Sequence, residues 1–199
     1  MKKWDLPPGQ GGALIVLSIA FLLGGSVGCV LAAASNGEGA QELSEYLADY
    51  LTLTQEGELP RRLWPVIWGQ MKYVLAVLVL TLTALGTVGM PLVFWVRGFS
   101  LCFPAACFCR IFGWRGLLPA FILFGLPALL WSPALFLLGT PGLLSAQRLL
   151  RRSLGESAPP LNPAIWYRAV ACAGLGLSAG LLEYWVVPVL LRGVAQVVL

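Results

Sequence analysis

Apolar positions in this chain come in long runs, not in the alternation of a half-buried strand or the single stripe of a surface helix. From Ala13 to Ala34 no charged residue occurs. A helix crossing a hydrocarbon core needs about 20 such residues, so this run predicts a first span over 13–34 behind a short N-terminus, 1–12. A second span is expected over 73–95, a short third over 99–112, a fourth over 116–146 and a fifth over 163–191. A mostly polar segment, 35–72, separates the first two, and 147–162 separates the last two. The fold class this predicts is all-α: a polytopic integral membrane helical bundle of about five transmembrane helices, single-domain, with kinked or short segments. The fourth run contains Pro119, Pro127, Pro133 and Pro141. As one straight helix its roughly thirty residues would reach about 45 Å at ~1.5 Å each, against a core of ~30 Å. Proline also frees carbonyls and kinks helices, so a bent or broken helix is expected there. Such breaks line substrate sites in some transporters and serve tight packing in other proteins.

The polar segment has a pattern of its own. In "QELSEYLADYL", Leu43, Tyr46, Leu47, Tyr50 and Leu51 fall at helical spacing while Glu42, Glu45 and Asp49 lie elsewhere on the wheel. This predicts one extracytoplasmic amphipathic helix. It either covers the rim of the bundle or offers Leu43, Leu47, Tyr50 and Leu51 as a docking face. Pro60 suits a helix start and Trp64 and Trp68 suit a membrane interface, so the chain is expected to run from there along the surface into the second span.

Composition sharpens this picture. The 199 residues are 58% hydrophobic and 11% charged, where a soluble domain carries about a quarter of its residues as charges. Mean hydropathy is +0.82. The net charge of +4 has no clustered basic face, so no nucleic-acid partner is expected; the lipid bilayer is. "AAAS" at 32–35 is a weak cleavage site, and the first span is expected to stay attached as an anchor. Lys2, Lys3 and the compact "RLLRR" ending at Arg152 favour a cytoplasmic N-terminus, and segment 35–59 holds six acids and no base. The expected localisation is therefore a multi-pass cell-membrane protein with N-terminus inside and C-terminus outside.

Candidate chemistry is sparse. The chain has no histidine, which removes His-based triads and HExxH metal sites, and it has no Walker A lysine motif. Its five cysteines match no zinc spacing and read as small packing residues. No enzyme activity, cofactor or metal is expected. Two ionisable residues are committed to the apolar region, Arg97 and Glu183. Arg97 either faces the bundle interior or snorkels to headgroups. Counted along the fifth span, Glu183 falls toward the outer end, with Arg110 or Arg115 as expected partners and Arg97 out of reach.

The run "LGTVGMPLVFWVRGFSLCF" resembles the signature of the stage II sporulation protein M family: Gly-x-Pro, an apolar run, a basic residue followed by Gly, then an aromatic-rich short helix. Here these are Gly89, Pro91, Arg97, Gly98 and Phe99; Arg97 stands where the family commonly has Lys. "GWRGLLPAFILFGLPALL" matches its Gly-Trp turn and proline-containing helix through Gly113, Trp114 and Pro127, and "AGLLEYWVVPVLL" resembles its C-terminal motif through Glu183 and Pro188. The resemblance covers the whole chain. It implies a non-enzymatic membrane scaffold of the sporulation engulfment machinery, holding two peptidoglycan-degrading partners, stage II sporulation proteins D and P, at the septal membrane. Related membrane proteins beside ABC-transporter genes make a permease-like transport subunit the alternative. On this reading Pro91 ends or bends the second span, Arg97 anchors it at the inner interface, and Gly98 permits a tight reversal into the short third span.

Overall fold

The computed structural model describes residues 9–34, 45, 63–155 and 164–198, and these are helical apart from short turns, with no strand among them. The long helices are α1 (Gln10–Ala34), α2 (Leu63–Thr81) and α3 (Gly86–Phe112). A 3-10 turn at Gly113–Gly116 leads into the single turn α4 (Leu117–Ala120). A π-helical turn, Phe121–Gly125, then feeds α5 (Leu126–Ser153), and α6 (Ala164–Val198) ends the described chain. Of the amphipathic segment only Glu45 is described, as helical and exposed; Leu43, Leu47, Tyr50 and Leu51 lie outside the described residues.

The strongest pairing is between α1 and α3, and it is parallel: Gly25 meets Gly98 and Cys102, Gly28 meets Phe99 and Phe103, and Arg110 donates to the Ala32 carbonyl at 2.7 Å. Glycine makes this possible. A Cβ on Gly24 would overlap the Trp95 carbonyl, and one on Gly98 would overlap the Phe21 carbonyl. Gly24 and Gly28 form a small-xxx-small pair that lets two backbones approach closely. The packings of α2 on α3, α3 on α5, α5 on α6 and α2 on α6 are antiparallel. Leu80 of α2 lies against Gly86 and Gly89 of α3, and the Phe94 ring of α3 lies against Gly139 of α5. Cys172 of α6 donates to the Ala134 carbonyl of α5 at 2.9 Å, while Gly176 and Gly180 lie against Val74 and Ile67 of α2. Among the described residues, α1, α3 and α6 therefore run one way and α2 and α5 the other.

Two apolar clusters fill the interior. The larger includes Leu17, Val77, Met90, Phe94, Trp131 and Leu138; the smaller, toward the 3-10 turn, includes Phe108, Ile122, Val187 and Leu191. The outside is apolar too. Leu22 is 66% exposed, Val88 77% and Val170 72%, more apolar surface than a water-soluble exterior carries in contiguous patches. Among the described residues four helical runs are long and apolar enough to cross a membrane, one of them Gly86–Ser153, which doubles back at the 3-10 turn.

The boundaries differ from the sequence expectation in one instructive place. The break falls at 82–85, where Gly86 N–H bonds the Thr83 carbonyl, and α3 runs unbroken through Pro91, Arg97 and Gly98. Gly98 is not a reversal: among the described residues the glycines with positive φ are Gly9, Gly113 and Gly155. Nor does Pro91 end a helix. It sits in the second turn of α3, where its missing N–H removes only one early bond. The expected break in the fourth span is the π-helical turn. Pro127 cannot donate to the Leu123 carbonyl, and the turn just before it widens to accommodate that.

Candidate functional site

Arg97 is the twelfth residue of the 27-residue α3, so it lies about 16 Å from one end of that helix and about 22 Å from the other. Its guanidinium lies close to two aromatic rings. The guanidinium carbon is 4.3 Å from the Tyr73 ring centroid and 3.7 Å from that of Trp131. Each cation–ring contact contributes about 2 kcal/mol or more when desolvated. In the plane, Nη2 donates to Gln70 Oε1 at 2.5 Å, and Gln70 Nε2 donates to Glu183 Oε2 at 2.9 Å. The two charges thus fix which way the Gln70 amide points, oxygen toward the cation and nitrogen toward the carboxylate. Hydrogen bonds to charged groups contribute about 1.5–3 kcal/mol each. One chain of contacts so joins α2 (Gln70, Tyr73), α3 (Arg97), α5 (Trp131) and α6 (Glu183).

This corrects the sequence expectation for both charges. Arg97 is not an anchor at a helix end, and Glu183 reaches it through one amide. The depth count failed because α6 has 35 residues, Ala164–Val198, about 52 Å of helix, so its first residue does not mark the edge of an apolar core. Arg110 instead bonds the backbone of Ala32. Pro188 lies inside α6, half-buried, beside the buried Val187.

A cavity of about 300 Å³ opens beside this network. Gln70, Tyr73, Arg97, Ser100, Trp131 and Glu183 line it, with Lys72 on the wall. Ser100 Oγ donates to the Arg97 carbonyl at 3.0 Å. Pro65 and Val66 at the start of α2, and Leu123 and Phe124 of the π-helical turn, line it farther out. A second cavity of about 490 Å³ is almost wholly apolar, lies between α1, α3 and the π-helical turn, and shares Leu101 and Phe124 with the first. Cys29, Cys102 and Cys109 line it; the other two cysteines, Cys107 and Cys172, are buried. Among the described residues no three His, Cys, Asp or Glu side chains could jointly hold a metal ion.

Gln70, Tyr73 and Trp131 were the residues that sequence reasoning missed. The available signal was Gln70, the one side-chain amide in a mostly apolar helix, three residues from Tyr73 and so on the same face. Reading 35–72 as a loop hid it. Comparison with known proteins finds no match: no family model, no curated protein and no solved structure is similar to this chain.

Proposed function

We propose that this chain is a multi-pass cell-membrane protein, N-terminus cytoplasmic and C-terminus outside, that scaffolds and does not catalyse. In the reading its motifs suggest, it belongs to the sporulation engulfment machinery and holds stage II sporulation proteins D and P, which degrade peptidoglycan, at the septal membrane. The observation that carries this is what the signature residues do. Gly98 gives α1 its close approach, and Arg97 and Glu183 are used to tie four helices together. Residues that resemble a family's signature are here the ones that assemble a fixed platform. The lipid-like exterior supports the membrane assignment. The test is co-purification: Leu47 and Tyr50 replaced together by Ser should lose a septal hydrolase partner while the protein stays in the membrane. Intact binding in that double variant removes the amphipathic segment as the docking face.

The cavity beside Arg97 favours a second reading, a permease-like subunit of a transport system, since intramembrane charges commonly mark substrate paths. Substrate-dependent flux through the purified chain in liposomes would favour it over the scaffold.

A further inference from the structure

We propose that the Arg97 cavity binds an anionic oxygen group, a phosphate or a carboxylate, between Arg97 at its floor and Lys72 on its wall. This goes beyond the scaffold reading and holds whichever partner the outer segment meets. Two cations against one carboxylate leave the lining with a net charge of +1. The carboxylate is turned toward Gln70, which donates to it. The guanidinium carbon lies 4.3 and 3.7 Å from the Tyr73 and Trp131 ring centroids, and its N–H groups all point outward in its own plane. One in-plane group is committed to Gln70, and Nε is buried without a partner. A planar fork with donors to spare is the geometry that takes an oxyanion on two bonds. A cation entering here would meet Arg97 and Lys72.

The shape agrees. From Pro65 to Tyr73 the lining descends eight residues of α2, about 12 Å. The volume of about 300 Å³ leaves room around the anion for the rest of a small molecule or headgroup. The apolar cavity that shares Leu101 and Phe124 with it has the chemistry to take a hydrocarbon tail. The anion therefore has two sources, a free solute or a lipid headgroup.

The experiment uses the full chain in an uncharged detergent, followed by thermal unfolding at constant ionic strength. Inorganic phosphate, a short-chain phosphatidylglycerol and a short-chain phosphatidylcholine are titrated separately. The unfolding midpoint should rise with phosphate or phosphatidylglycerol and stay fixed with phosphatidylcholine. A response to phosphate assigns a free anion, and a response to phosphatidylglycerol alone assigns a headgroup. Lys72 is exposed, so Lys72→Glu should fold and should raise the half-saturating concentration by about tenfold or more, as expected for reversing one nearby charge. Lys72→Ala, with a smaller effect in the same direction, serves if the reversal impairs folding. Arg148→Glu, at the far end of α5, should match the unmodified chain. No response to either anion, or an equal response in the Lys72 variants and the unmodified chain, overturns the proposal.

Discussion

Adding one methyl group at Gly98 tests the architecture most directly. A Cβ there would overlap the Phe21 carbonyl oxygen and stand 3.0 Å from its carbon and 3.1 Å from the Gly25 nitrogen. All three are backbone atoms, so no rotamer change relieves the clash. Contact between heavy atoms is favourable at about 3.5–4.0 Å, so α1 and α3 must separate locally by about 1 Å. Overpacking of this kind costs about 1–3 kcal/mol. Here the displaced partner is the helix that also brings Gly24, Gly25 and Gly28 into contact, which favours the upper end. For a chain of this size that corresponds to a fall in unfolding midpoint of about 5–10 °C. Gly174→Ala is the internal control. It lies in α6 with nothing within 4 Å of the added Cβ, so it should be neutral or stabilising by up to ~1 kcal/mol, as alanine is in a helix interior. Thermal unfolding of the two purified variants in one detergent decides. If Gly98→Ala unfolds with the unmodified chain, the close parallel packing of α1 on α3 is wrong.

Three further outcomes are expected. Arg97→Lys keeps the charge but loses the guanidinium's contacts with the Tyr73 and Trp131 rings; it should accumulate, less stable by about 1–2 kcal/mol. Arg97→Glu sets a second carboxylate in a cavity that already holds Glu183, and folded protein should disappear from membranes; accumulation at the unmodified level refutes the network. Cys29 and Cys102 line the same cavity, with Cys102 Sγ against Gly25 one turn before Cys29, so a short thiol crosslinker should join them and spare the buried Cys107 and Cys172; failure to link, read by peptide mass mapping, contradicts the α1–α3 register. Reporter tags after Asn36 and at the C-terminus should lie outside and one within 151–155 inside; an inside location for the first sinks the proposed topology.

What the sequence determined by itself is the class of fold. Long charge-free runs commit a chain to helices, because only internal bonding satisfies a backbone that water does not reach, and the run lengths marked where most passes lie. It also singled out Arg97 and Glu183, since an ionisable residue in an apolar run needs a partner. Hydropathy cannot register where one apolar helix stops and the next starts. The boundary at 82–85 lies in residues as apolar as their neighbours, and Pro91 and Gly98, the obvious punctuation, sit inside α3. Whether a glycine marks a turn or a backbone contact depends on what stands against it, and for Gly98 that is Phe21, 77 positions earlier. The same holds for the cavity. Tyr73, Trp131 and Gln70 surround Arg97 only when α2 and α5 pack against α3, and α6 joins them through Glu183 on Gln70. Spacing along the chain reports a residue's own helix face, and which faces meet is decided by packing.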